Sequence, residues 1–252
     1  MGIPVMELLG ALLAGGFIGA VLGFVGAGGA MLSVPILIYL FNFTPHQATT
    51  AALAVVFLAA LSGALPKMRS KEILYRDAFV ISGIGLITNV GFSSIAETFS
   101  EEFITTGFAV ILTIAGLSML RSPIKDQHQR MPITTLIFLS LVIGSMTGIF
   151  GIGGGFLAIP VLVLFFGTPQ KIAAGTSLLI ISLNSVVALL AHYKVWGDVD
   201  WHIPAVMAIS AVIIASLSSH FGKVSSPELM RKAFAGVLFS VALFTVAQTW
   251  FL

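Results

Sequence analysis

Two copies of one thirteen-residue motif, 125 positions apart, constrain this chain more than any other feature. Gly23 to Pro35 reads GFVGAGGAMLSVP, and Gly148 to Pro160 reads GIFGIGGGFLAIP. Six positions are identical: Gly23/Gly148, Gly26/Gly151, Gly28/Gly153, Gly29/Gly154, Leu32/Leu157 and Pro35/Pro160. Each copy interrupts a long apolar run, and glycine in a helix interior costs about 1 kcal/mol relative to alanine. Two helices are therefore predicted to break at equivalent places. Glycine admits positive φ and close approach to the backbone, and proline fits the first turn of a new helix better than its middle. Each motif reads as helix, break, half-helix.

The apolar runs set the class of protein. Of 252 residues 58% are hydrophobic and only 9% charged, with a mean hydropathy of +1.08. Several runs reach the ~20 residues that a membrane-spanning helix needs, so the chain is expected to be an all-α polytopic membrane protein, with the lipid bilayer as its surroundings. Cysteine is absent, which excludes disulfides, thiol catalysis and Cys-ligated metals. The pI near 9.0 does not point to nucleic acid, because the basic residues sit between apolar runs and act as topology signals. The amino terminus has no basic n-region and is taken as structure, not as a cleaved leader.

Five apolar segments can be traced in each half. In the first they are Pro4 to Gly23, Met31 to Phe41, about His46 to Leu65, about Asp77 to Ala96, and Phe103 to Leu120. The polar, basic stretch Arg121 to Arg130 follows, and the cycle repeats from Pro132, through Phe156 to Phe166, then to Ala191, Ile203 to Phe221, and Leu229 to Phe251. Thr44-Pro45 and Thr168-Pro169 open the third segment of each half, and Ser100, Glu102, Phe108 and Ala109 match Ser226, Glu228, Phe234 and Ala235. The expected organisation is a first membrane repeat over 1–121, a cytoplasmic linker over 122–131 and a second membrane repeat over 132–252.

Charge orients the repeats. If the third and fifth segments of the first half and the second and fourth of the second half end in the cytoplasm, eleven of the twelve Lys and Arg residues lie inside and only Lys194 lies outside, as the positive-inside rule requires. The two repeats are then inverted. Five crossings per half satisfy this, as does a re-entrant glycine hairpin followed by three crossings, so eight to ten membrane segments are expected. The half-helix of about eleven residues from Phe156 extends ~16 Å, about half of a ~30 Å hydrocarbon core, which puts its glycine-rich start near the midplane.

Every basic residue, and every acidic one except Glu7 near the start of the first segment, falls in a loop or at a segment end. Proton pumps and cation carriers usually carry an intramembrane carboxylate or histidine, so the sequence argues against a carboxylate relay. An uncharged site binds an anion through backbone N–H groups at the positive ends of half-helices, and paired broken helices in inverted repeats provide such ends. The candidate binding residues are Gly26, Gly28, Gly29, Gly151, Gly153, Gly154 and Gly155. Thr176 and Ser177 are candidate hydroxyl donors, Thr49 and Thr50 their neighbours in the first half, and Asn184 a candidate amide. Against these stand plainer roles: small residues let membrane helices pack closely, and Ser and Thr bond back to their own helix. The five histidines lie near segment ends without metal-ligand spacing. No serine-hydrolase elbow, zinc-protease helix or phosphate loop is present. Neither an enzyme, a metal nor a cofactor is expected.

The doubled glycine motif with its proline, the stretch Ala173-Ala174-Gly175-Thr176-Ser177-Leu178, and Val199-Asp200 after Trp196-Gly197 resemble the sulfite exporter TauE/SafE family over nearly the whole chain. The resemblance implies a permease for small sulfur-containing anions, of the sulfite, thiosulfate or organosulfonate class, often exported from the cytoplasm. Thr50-Ala51-Ala52 stands where the first half would carry Gly-Thr-Ser. The reading is thus a transporter, with an anion channel of the same architecture or a non-transporting membrane scaffold as its rivals.

Overall fold

The computed structural model describes residues 5–96, 99–120, 132–150 and 157–250. Among them are ten α-helices, one 3₁₀ turn and no strand. The first half contributes α1 (Val5–Val25), α2 (Gly29–Phe41), α3 (Pro45–Arg69), α4 (Tyr75–Ala96) and α5 (Glu101–Leu120). The second contributes α6 (Ile133–Phe150), α7 (Ala158–Phe166), α8 (Gln170–Ala191), the 3₁₀ turn Tyr193–Asp198, α9 (His202–Val224) and α10 (Pro227–Trp250). Six of these helices, α1, α3, α5, α8, α9 and α10, are long and apolar enough to cross a membrane. Large apolar side chains point outward along them, with Leu13 75% and Leu243 72% exposed. In water such a surface would aggregate; against lipid it is the favourable arrangement.

Each apolar segment became one helix, and two details differ from the sequence expectation. Pro35 lies in the second turn of α2, because that helix begins at Gly29, two residues before the expected Met31. Having no N–H, Pro35 leaves the carbonyl four residues earlier, that of Met31, without its helical donor. The helix α3 continues through Pro66, Lys67 and Arg69, where the sequence placed a basic exit from the membrane. Its end is set by Ser70 and Glu72, whose N–H groups donate to the carbonyls of Pro66 and Lys67.

The corner between the second and third helices recurs in both halves. Asn42 after α2 and Gly167 after α7 both adopt positive φ, 56° and 58°. In each case the residue and its successor donate to the same carbonyl, Leu37 for Asn42 and Phe43, Leu162 for Gly167 and Thr168. This is left-handed C-capping that turns the chain sharply, after which a proline at the start of α3 begins the next helix.

Packing between the halves is reciprocal: α1 lies along α9, and α6 along α4. Small residues allow it. Built Cβ atoms on Gly15, Gly19 and Gly23 would meet the backbones of Met207, Ala211 and Ala215 in that order, so α1 and α9 run parallel. In the counterpart pair, Gly144 meets the backbone of Gly85. Backbone contact of this kind is how membrane helices gain dispersion energy without a hydrophobic drive. Serines add polar links, Ser210 Oγ donating to Leu12 O and Ser219 Oγ to Gly63 O, each at 2.7 Å. The third helices of the two halves, α3 and α8, cross antiparallel, with Thr50 at His192, Gly63 at Leu178, and Lys67 at Gly175.

Candidate functional site

The first glycine break occupies residues 26–28 between α1 and α2. Gly26 and Gly28 have φ of +88° and +93°, a region that non-glycine residues enter at a cost of roughly 1–2 kcal/mol. Gly28 caps α2 without any side chain completing the cap, so the first-turn N–H groups of α2 have no partner within the helix. Gly26, Gly28 and Gly29 are all buried. The break is enclosed by protein: a Cβ on Gly26 would lie 2.6 Å from Ala174 Cα of α8, and one on Gly28 would lie 3.6 Å from Val237 of α10. Irregular backbone at membrane depth is tolerated in just such surroundings.

The first break therefore meets the Ala173 to Leu178 stretch, which came from the opposite half of the sequence. One residue beyond Ala174, a Cβ on Gly175 would strike the Glu72 carbonyl and lie 3.2 Å from both Ile73 Cγ1 and Lys67 Cδ. Thr176 Oγ1 donates to Ile172 O at 2.8 Å and accepts the Leu74 N–H at 3.0 Å. Its hydroxyl thus ties α8 to the loop between α3 and α4. Ser177 is fully buried beside it. These contacts put the break level with the last turn of α3 and the first turns of α8, and so near one end of the bundle. The sequence reading set the second break at mid-membrane; that break, with Gly151, Gly153, Gly154 and Gly155, lies outside the described residues.

Other candidates are placed elsewhere. Thr49 and Thr50 donate to the carbonyls of Pro45 and His46 one turn back, and Thr50 Oγ1 also lies 3.1 Å from His192 Nδ1. They occupy the opposite end of the α3–α8 crossing from Lys67. Asn184 lies between the two ends on α8, and its buried Oδ1 has no hydrogen-bond partner among the described residues.

Lys67 is the residue that the sequence reading missed. Placed by sequence in a cytoplasmic loop, it is 0% exposed within α3, with Glu72 Oε2 3.8 Å from its Nζ. Lys67 does lie at a segment end, in the last turn of α3, and what the sequence did not show is its burial against α8. Its run of neighbours, Pro66 to Lys71, reads as a loop because proline and three cations suggest one; only the packing of Gly175 against its stem shows otherwise. Gln170, the first residue of α8, is also buried, and neither end of its amide finds a partner among the described residues. Gln170 and Ala174 are one turn apart and share a face of α8, which is the face that meets Gly26.

Two further features are set apart from this locus. A cavity of about 590 Å³ between α1, α2, α5 and α10 is walled mainly by apolar residues such as Met31, Pro35, Phe108 and Phe244, with Tyr39, Thr105, Ser240, Thr245 and Gln248 as its polar members. Beyond the 3₁₀ turn, the Asp200 carboxylate is held below its usual range by hydrogen bonds from the His202 ring and backbone N–H. Both side chains of that pair are exposed. No group of three or more metal-binding side chains occurs among the described residues.

Comparison with known proteins agrees with this architecture. The profile of the family described as sulfite exporter TauE/SafE matches residues 11–245. A probable membrane transporter protein of Xylella fastidiosa is 27% identical over 258 residues, covering 98% of this chain and 97% of its own. A second from Methanocaldococcus jannaschii is 27% identical, covering 94% and 95%. The probable membrane transporter protein YunE of Bacillus subtilis is 28% identical over 211 residues, covering 73% and 77%.

Proposed function

The chain belongs to the sulfite exporter TauE/SafE family of membrane transporters, and from that premise we propose that it carries a small sulfur-containing oxyanion out of the cell. The cargo class is sulfite, thiosulfate or an organosulfonate. The observation that carries this reading is the junction of Gly26 with Ala174, where the glycine break at the N-terminus of the half-helix α2 packs against a turn of α8 that carries the buried Thr176 and Ser177. Such a terminus favours negative charge through its exposed donors and its dipole. The glycines of the second break, Gly151, Gly153, Gly154 and Gly155, form the counterpart of that terminus in the proposal, and Thr176, Ser177, Thr49, Thr50 and Asn184 line the path between.

The same reading holds that residues 1–121 and 132–252 are inverted repeats joined by a cytoplasmic linker. Two relations support it. The equivalent helices α3 and α8 run antiparallel, which is what inversion requires of a pair related by a two-fold axis in the membrane plane. The reciprocal pairs α1 with α9 and α4 with α6 exchange into one another under the same operation.

Reconstitution into liposomes with sulfite, thiosulfate, sulfoacetate and taurine tests the assignment. Saturable flux of at least one of them is expected. Absence of flux for the whole panel would overturn the reading in favour of a non-transporting membrane protein, and voltage-driven currents at high unitary rate would make it a channel.

A further inference from the structure

The sequence and the family name leave open which side chain neutralises the anion, and Lys67 stands where one is needed. A fully buried ammonium costs several kcal/mol unless an opposite charge and hydrogen bonds compensate it. The Glu72 carboxylate beside it is 3.8 Å away, outside the ~2.7–2.9 Å of a charge-assisted hydrogen bond. Glu72 Oε2 accepts no hydrogen bond among the described residues, while the side chain is 21% exposed and reaches the solvent. This carboxylate is close enough to compensate the ammonium and loosely enough held to leave it. Its backbone cannot follow, because the Glu72 N–H donates to Lys67 O at 2.9 Å and the Leu74 N–H is bound by Thr176.

The Lys67 stem packs on the stretch of α8 that also carries Ala174 and Gln170. The absence of a Cβ on Gly175 admits the Lys67 stem against α8. Within the same two turns of α8, Ala174 meets the Gly26 break, and Gln170 keeps a buried amide with no partner among the described residues. At the other end of the crossing, the residue 125 positions after Lys67 is His192. It touches Thr50, which is 125 positions before Gly175. A side chain able to carry positive charge therefore caps each end of the α3–α8 crossing in the same relation to its partner helix.

We propose that the Lys67 ammonium is the charged contact of the transported oxyanion, and that the arriving anion takes it by displacing the Glu72 carboxylate toward the solvent. Glu72 is a counter-ion of Lys67 and competes with the cargo. This inference rests on the proposed anion transport and adds to it the residue that recognises charge.

The experiment compares four proteins in sulfite-loaded liposomes: wild type, Lys67→Met, Glu72→Gln and the double variant Lys67→Met/Glu72→Gln. Lys67→Met is expected to raise the KM for sulfite at least about tenfold, the effect of one lost hydrogen bond to a charged group. Glu72→Gln is expected to lower KM about threefold or more, and added sulfite should raise its melting temperature more than that of wild type, since ligand binding stabilises the state it selects. The double variant should transport as poorly as Lys67→Met. A pair serving only structure predicts the reverse, because removing both buried charges is often neutral: wild-type transport by the double variant, or an unchanged or raised KM in Glu72→Gln, overturns the inference while sulfite flux by the wild type keeps the transport assignment. Should Lys67→Met fail to insert, Glu72→Gln alone decides. A wild type that moves none of the tested anions removes both.

Discussion

Gly26 of the first repeat and Ala174 of the second meet backbone to backbone, the Cα of Ala174 lying 2.6 Å from where a Gly26 Cβ would be. Gly28, two residues on, has the same left-handed φ but only ordinary contacts at 3.5 and 3.6 Å. The two positions therefore separate backbone strain from crowding.

Gly26→Ala should combine a strain of roughly 1–2 kcal/mol with overpacking of about 1–3 kcal/mol, whereas Gly28→Ala should show the strain alone. Thermal melts of the detergent-solubilised variants are expected to rank wild type above Gly28→Ala and Gly28→Ala above Gly26→Ala. Equal melting temperatures for the two variants would mean that the Gly26–Ala174 contact does not hold the halves together.

At the second break, Gly153→Val and Gly154→Val should abolish sulfite transport while sparing membrane insertion, because a β-branched side chain fills the space in which the anion would meet backbone N–H groups. The alanine variants should be milder. A well-expressed Gly153→Val protein that transports at the wild-type rate would reduce the glycine to a packing role.

The proposed inversion of the two halves predicts which loops face the cytoplasm. The chain contains no cysteine, so single Ser122→Cys, Ser225→Cys and Glu101→Cys variants report without interference. In intact cells an impermeant thiol reagent should label position 101 and spare positions 122 and 225. Labelling at 122 from outside would refute the inversion.

The driving force follows from charge. Export of an anion from a negative-inside cell gains about 2.3 kcal/mol per charge per 100 mV, so a uniporter suffices. Flux should follow an imposed membrane potential and ignore sodium. If flux persists at zero potential and stops when a proton or sodium gradient is collapsed, transport is coupled to that ion.

Sequence alone determined the helices and their order, because helix starts and stops are local. Apolar length, the paired glycines, and the Thr-Pro steps at Thr44 and Thr168 act within a turn or two of chain, and each expected segment became a helix. The repeat was legible for the same reason, since identity at a fixed spacing needs no partner in space. What lies beside what was decided only by the tertiary structure. Gly26 touches Ala174, and Lys67 touches Gly175, across more than a hundred residues of chain, and no periodicity encodes a lateral contact. Pro66, Lys67 and Arg69 look like a loop until α8 buries the lysine; Thr176 looks like a free donor until the Leu74 N–H and the Ile172 carbonyl occupy its hydroxyl. Burial and hydrogen-bond commitment are properties of pairs, and the pairs form only when the two halves pack.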